Sequence, residues 1–188
     1  MAHNTTYEVK FRRRREGKTD YKKRLALVKS KKIRLVVRKT NKKIIAQAMK
    51  FEMKGDVTIA SAESKDLEKF GWYGTNNTPS AYLVGFLLGK KLGKKACVLD
   101  IGRKHPSHGN VVFAALKGAV DAGTELPYNA EAVPSEDRLN GKVLDAYAAK
   151  IGDKAKTVFS AYIKKGINPG SINKAFEKAK TEISKVKE

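Results

Sequence analysis

Residues 33–62 read IRLVVRKTNKKIIAQAMKFEMKGDVTIASA. Ile33-Arg34-Leu35-Val36-Val37-Arg38 is a short apolar run rich in β-branched residues, and Lys39-Thr40-Asn41-Lys42-Lys43 has turn composition. Ile44–Phe51 loosely alternates apolar and polar residues, Lys54-Gly55-Asp56 is a second turn, and Val57–Ala62 is a third apolar run. Short β-branched runs bounded by turn residues are strands. Three of them joined by short connections form an antiparallel meander.

Toward the C-terminus the period changes. Phe70-Gly71-Trp72-Tyr73-Gly74-Thr75-Asn76-Asn77 is a loop rich in Gly and Asn. Thr78 suits an N-cap with Pro79 at the first helical position, and the helix is predicted to run to about Lys91. Gly85, Gly89 and Gly93 recur on one face of it. Glycine weakens a helix, so these positions are expected to let the backbone approach the sheet closely. Ala96–Asp100 suits a buried strand, and Val111–Ala122 a second helix with Phe113, Leu116 and Val120 on one face, stopped by Gly123. Strand, helix, strand, helix implies a right-handed crossover and at least one parallel pair. The predicted fold class is α/β: a mixed sheet, made of the antiparallel meander plus a βαβα half, with helices packed on it.

Two appendages flank this body. After Leu126-Pro127 the pattern is helical. Ser135 is placed as the cap of a helix carrying Leu139, Val143, Tyr147 and Ile151; Asp153 caps one carrying Val158, Phe159, Tyr162 and Ile163; Ser171 begins one carrying Ile172, Phe176, Ala179 and Ile183. These small amphipathic helices are expected to pack on the body or on a neighbour. On the N-terminal side, Arg12-Arg13-Arg14-Arg15 precedes Gly17, and a short helix is predicted after Asp20, with Leu25 and Val28 on one face. Little before Gly17 is apolar, so Arg12–Arg15 are expected to be disordered without a partner. The organisation is a basic arm over 1–30, a body over 31–126 and a helical extension over 127–188, without internal repeats.

Charge then decides the class of partner. The 188 residues include 40 Lys+Arg against 19 Asp+Glu, a net of +21, and 41% are hydrophobic, enough for a core that buries roughly 70% of the unfolded surface. Residues 1–43 hold 17 Lys+Arg and three acids, a net of +14, so two-thirds of the excess lies in under a quarter of the chain. Such an excess destabilises a compact chain unless a polyanion neutralises it, and the candidates are nucleic acid, an anionic membrane surface and an acidic protein. A membrane surface would call for a basic helix with a large apolar face, which Leu25, Leu27 and Val28 do not make. The longest apolar stretch, Ala81–Leu88, is far below the ~20 residues of a spanning helix. The opening residues lack an apolar signal core, and Cys97 is the only cysteine, consistent with a cytoplasmic setting and no disulfide. Nucleic acid is favoured by the four consecutive arginines of the arm, whose planar forks suit phosphate and can stack on bases. Trp72 and Tyr73, read as exposed, could stack on unpaired bases and so favour RNA, or Trp72 could anchor its loop to the core.

Catalysis finds no foothold. Gly89-Lys90-Lys91-Leu92-Gly93-Lys94-Lys95 has the wrong spacing for a phosphate loop and no Ser/Thr after the lysine. His105 and His108 share a loop that has no further metal ligand, so neither a metal site nor a cofactor is expected. Asp100, at a strand end, has only Asp56 and Asp121 as nearby candidates for a nuclease carboxylate cluster. Cys97, between Ala96 and Val98, reads as a buried inert thiol.

Several motifs, in order, resemble one family. Residues 34–42 with Ala46-Gln47, the segment Trp72–Tyr82, the segment Val112–Gly123 and the Arg-rich start through Tyr21 and Arg24 are similar to the L-eighteen family of large-subunit ribosomal proteins, in its archaeal and eukaryotic branch. The length suggests the archaeal form. Lys32-Ile33 stands where the family pattern has Gly-Pro. The resemblance implies a non-catalytic protein that binds 5S rRNA, contacts the larger 23S-type rRNA and neighbouring large-subunit proteins, and helps attach 5S rRNA at the central protuberance. It implies no small-molecule substrate. Carried over by position, Arg12, Arg13, Arg14, Arg15, Lys18, Tyr21, Lys22 and Arg24 would grip the RNA backbone through the arm. Arg34, Arg38, Lys39, Asn41 and Lys42 would contact RNA from the first strand and its turn, and Asn76, Asn77 and Thr78 beside Trp72 and Tyr73. Arg103, Lys104, His105 and His108 would form a further basic edge.

Overall fold

The computed structural model of the protein describes residues 6–186, so the first of the opening residues read above for a signal core, 1–5, lie outside the described residues. The arm holds α1 (Arg12–Arg15) and α2 (Tyr21–Lys29). The meander is β1 (Ile33–Lys39), β2 (Ile44–Lys50) and β3 (Val57–Glu63), followed by a 3-10 helix at Ser64–Phe70. Then come α3 (Thr78–Leu92), β4 (Cys97–Asp100) and α4 (Val111–Asp121). The sheet order is β3-β2-β1-β4, with β1 antiparallel to β2 and parallel to β4. The fold is therefore α/β with a mixed sheet, as the alternation of strand and helix required.

Side-chain alternation gives the sheet two unlike faces. Leu35 and Val37 of β1, with Ile44, Ala46 and Ala48 of β2, enter the core against α3. Arg34, Val36 and Arg38 face the other way, in register with Met49, Gln47 and Ile45 of β2, and Val36 also with Asp100 of β4. The arm lies over part of this second face.

α3 is the centre of the molecule. Its apolar residues are buried almost all round, because the sheet lies on one side and helices lie on the others. Asn77, not Thr78, is the N-cap: its side chain accepts from the Ser80 backbone N–H, which places Pro79 one residue later than predicted. The glycines serve a helix rather than the sheet. A Cβ on Gly85 would lie 1.9 Å from the Ala115 carbonyl oxygen of α4, and one on Gly118 of α4 would lie 2.1 Å from the Tyr82 carbonyl oxygen. Gly93 has a different task, ending the helix at φ +70°.

The C-terminal region is more broken than its periodicity suggested. The Ser135 segment is split at Gly141, in the left-handed region, into α5 (Glu136–Leu139) and α6 (Lys142–Ile151). The Asp153 segment is a 3-10 turn followed by α7 (Ala155–Val158) and α8 (Ser160–Lys164). The last helix, α9 (Ile172–Ser184), is capped from a distance: the Asp145 carboxylate on α6 accepts from the backbone N–H groups of Ile172 and Asn173. Phe159, Tyr162, Ile172, Phe176 and Ile183 belong to the same core cluster as the sheet and α3.

Trp72 links these layers. It is 1% exposed, its Nε1 donates to Ser80 Oγ at 2.8 Å, and its ring meets the edges of Tyr162 and Phe176 at 6.4 and 6.0 Å. Trp72→Ala is expected to destabilise the fold by about 3–5 kcal/mol in chemical denaturation. A loss under about 1 kcal/mol would show that the C-terminal helices do not depend on this ring.

Candidate nucleic-acid interface

The arm is more ordered than its composition suggested. Arg12–Arg15 form a single helical turn, with the Arg14 and Arg15 backbone N–H groups donating to the Phe11 carbonyl. Arg13 Nε donates to Thr19 Oγ1, and the Phe11 and Tyr21 rings pack 5.3 Å apart. Local hydrogen bonds and one aromatic pair replace the apolar core that the segment lacks, and all four arginines stay exposed. Asp20 caps α2 by accepting from the Lys22 and Lys23 N–H groups.

A chain of alternating charges fastens the arm to the sheet. Arg24 on α2 donates to Asp56 Oδ2 at 2.8 Å, and Arg34 Nη2 lies 2.6 Å from the same oxygen. Arg34 Nη1 reaches Asp100 Oδ2 at 3.2 Å, while Arg38 Nη2 donates to Asp100 Oδ1 at 2.9 Å. Arg38 Nη1 also donates to the Asp100 carbonyl. Asp56 comes from the turn before β3 and Asp100 from the end of β4, so five charges join four segments. Burial acts to raise the Asp56 carboxyl, but the guanidinium groups of Arg34 and then Arg24 outweigh it and hold it below its ordinary value.

This relay settles the roles of several residues. Arg34 is 3% exposed and its guanidinium stands between Asp56 and Asp100, so the structure gives it the place of an ion-pair partner within the fold. Its place on the alternate face of an otherwise apolar strand gave no sign of this, because the element covering that face comes from elsewhere in the chain. Arg24 and Arg38 stay partly exposed but are already paired. Asp56 and Asp100, weighed above as nuclease carboxylates, are the anions of the relay. Asp121 is held by Lys117 and by the Tyr82 hydroxyl, whose pKa is raised by burial and by this bond. Among the described residues no group of three or more His, Cys, Asp or Glu could hold a metal ion. Cys97 is fully buried, and burial pushes its thiol up to about 11, as an inert core cysteine requires.

The loop residues divide similarly. Trp72 is not an exposed stacking platform; the apolar layer formed by α8 and α9 covers it. Tyr73 is half-buried with its ring against Tyr162 at 5.2 Å. Asn76 Nδ2 donates to the Thr40 and Asn41 carbonyls and so holds the β1–β2 turn. Asn77 caps α3 and donates to the Tyr162 hydroxyl, and Thr78 is the first residue of the helix. Lys39 is half-exposed at the end of β1; Asn41 and Lys42 are exposed in the turn. Arg103, Lys104, His105 and His108 lie on the exposed loop after β4, where His108 Nδ1 meets the Glu131 carbonyl.

The structure therefore separates paired cations from free ones. Of the twelve Lys and Arg between Lys10 and Lys32, Arg12 and Lys18 pair with Glu16 and Arg24 pairs with Asp56. The other nine have no carboxylate partner among the described residues. Lys23 is one of these, absent from the residues carried over by resemblance although it adjoins Lys22. Arg103, 79 positions beyond Arg24 in the sequence, is brought against Gly17 of the arm: a Cβ there would lie 3.1 Å from Arg103 Nη1.

Comparison with known proteins identifies the architecture. A family described as "Ribosomal large subunit proteins 60S L5, and 50S L18" matches residues 5–97 and 91–129. The chain belongs to this family. A large ribosomal subunit protein uL18 of Korarchaeum cryptofilum is 48% identical over 98% of this chain and 97% of that protein. One of Caldivirga maquilingensis is 48% identical over 97% of this chain and 93% of its own length. Both relatives are archaeal and near full length, so this is an L18-family protein of the archaeal type, a structural ribosomal protein and not an enzyme. The family match ends near Tyr128, at the boundary between the sheet-bearing body and the C-terminal helices, whereas the archaeal relatives align across those helices as well.

Proposed function

We propose that this chain binds 5S rRNA and helps attach it to the large-subunit rRNA at the central protuberance, with the basic arm supplying most of the phosphate contacts. The observation that carries this reading is the set of nine cations between Lys10 and Lys32 that have no carboxylate partner among the described residues, beside a relay in which Arg24, Arg34 and Arg38 share Asp56 and Asp100. Cations left without acidic partners on one folded surface are stabilised by a polyanion, and the archaeal relatives named as ribosomal proteins narrow that polyanion to ribosomal RNA. Arg15, Lys22, Lys29, Lys31 and Lys32 would position the backbone, while Lys39, Asn41, Lys42, Lys104 and His105 extend the contact from the body. The paired Arg24 and Arg38 hold the surface in shape.

The test is a salt titration of binding to 5S rRNA and to a generic hairpin of similar size, for the full chain and for a chain without its arm. The full chain is expected to prefer 5S rRNA. Removal of the arm should weaken binding to both RNAs and lower the slope of log affinity against log salt by roughly 0.7–0.9 for each phosphate that the arm neutralises. Selectivity should fall less, because phosphate contacts position and base or shape contacts specify. No preference of the full chain for 5S rRNA would overturn the reading.

A further inference from the structure

A recess of about 390 Å3 lies where the arm meets the loop after β4, lined by Arg14, Thr19, Asp20, Tyr21, Lys22, Lys23 and Arg103. Four of these seven side chains are cationic, and they come from three places: α1, the first turn of α2, and a body loop about eighty residues later. None of the four has a carboxylate partner among the described residues. Asp20 is the one acid in the lining, and its Oδ1 is occupied by the Lys22 and Lys23 N–H groups at 3.1 and 3.2 Å. The recess also faces the N-terminal end of α2, a nine-residue helix whose dipole adds positive potential there.

Four like charges converging on one concavity repel one another unless an anion enters it. Two are arginines, one from the arm and one from the body loop, and a guanidinium fork suits a phosphate oxygen pair. The neighbouring relay shows the contrast: there each arginine was given an aspartate, and here none was.

We propose that this recess is a seat for a backbone phosphate of bound RNA, held jointly by Arg14 of the arm and Arg103 of the body, with Lys22 and Lys23 beneath it. It rests on the reading that the chain binds RNA, and it adds that the arm does not act alone. The RNA closes the gap between arm and body at this point and so fixes the arm on the β4 side of the sheet. The nearby Gly17, at φ +65°, lets the chain turn tightly enough for Arg103 to reach across.

The experiment uses the full chain, with Arg14→Gln, Arg103→Gln, both together, Arg103→Lys, and Lys94→Gln as a control at the opposite end of β4. Binding to 5S rRNA and to a generic duplex RNA is measured across a salt series, with thermal melting alongside. Each single glutamine variant is expected to weaken RNA binding about tenfold, as loss of a charged hydrogen bond does, and to lower the salt slope by roughly 0.7–0.9. The double variant should lose clearly less than the product of the two single losses, because both arginines serve one phosphate. Arg103→Lys should restore the slope, the Lys94→Gln control should change neither quantity, and melting should hold, since both arginines are exposed.

Losses that multiply, or single effects under about twofold, would overturn the proposal. So would variants that weaken binding to phosphatidylserine vesicles and leave RNA binding intact. If the full chain shows no preference for 5S rRNA, the assignment of function fails, yet the coupling between Arg14 and Arg103 on the generic RNA still decides whether the seat exists.

Discussion

Replacing Arg34 by Ala is expected to destabilise the protein by about 3–5 kcal/mol at neutral pH, the loss typical when one partner is removed from a buried ion pair. The side chain is 3% exposed and stands between Asp56 and Asp100, so its removal leaves two carboxylates facing each other without their shared cation. The intact relay is worth less than this figure, since taking the charges out of water offsets much of their attraction; the penalty comes from leaving each largely buried acid with one arginine in place of two. The pH profile identifies the cause. Asp56 is held below its ordinary value of 3.8, so its contribution is present above that pH and is lost as pH falls through the lower, folded value. The gap between Arg34→Ala and the native protein should therefore be widest near neutrality and narrow in acid, as the Asp56 carboxylate takes up a proton. Denaturant titrations at several pH values measure it. A gap that stays constant with pH, or a neutral-pH loss below about 1 kcal/mol, would show that the relay does not hold the arm to the sheet.

Gly85→Ala is the second large effect expected. On an ordinary helix this change gains up to about 1 kcal/mol. Here the new Cβ would lie 1.9, 2.6 and 2.9 Å from the Ala115 carbonyl oxygen, its carbon and the Ala115 Cα. All three are backbone atoms of α4, which no side-chain rotation can move aside. Overpacking in a core costs about 1–3 kcal/mol when neighbours can shift, and a helix backbone shifts only by separating α3 from α4 along their whole contact. A net loss of at least about 3 kcal/mol follows, or failure to fold. Gly170→Ala is the control: its Cβ would meet nothing within 4 Å, and its stability should stay within about 0.5 kcal/mol of the native protein. Equal behaviour of the two variants would refute the close helix packing.

The mixed sheet, the two helices of the body and the basic arm were legible because each depends on local pattern. Strand runs at Ile33, Ile44 and Val57 lie between turn residues, and the parallel pairing of β1 with β4 follows from the crossover through α3, which leaves from β3, a strand two antiparallel steps from β1 and so running in its direction. Elsewhere local pattern ran out. The helix over Ser135–Ile151 kept its apolar spacing through Gly141, but the chain turns left-handed there, and apolar spacing does not report a break that preserves phase. The cap of α9 is a carboxylate 27 residues upstream of the N–H it accepts from.

By itself, then, the sequence determined the order of strands and helices, the partner class and the absence of a catalytic constellation, since these rest on periodicity, net charge and the inventory of side chains. Only the tertiary structure decided which basic residues are free. Arg14 and Arg34 are the same residue type within one basic region, yet one lines an open recess and the other lies buried between two aspartates. The physical reason is that a cation's availability depends on whether the fold brings an acid within a few ångströms, and Asp56 and Asp100 reach Arg34 only through the sheet register. Trp72 follows the same rule with apolar partners: Tyr162 and Phe176 arrive from helices about ninety and a hundred residues later and close over a ring that its own loop would have left exposed.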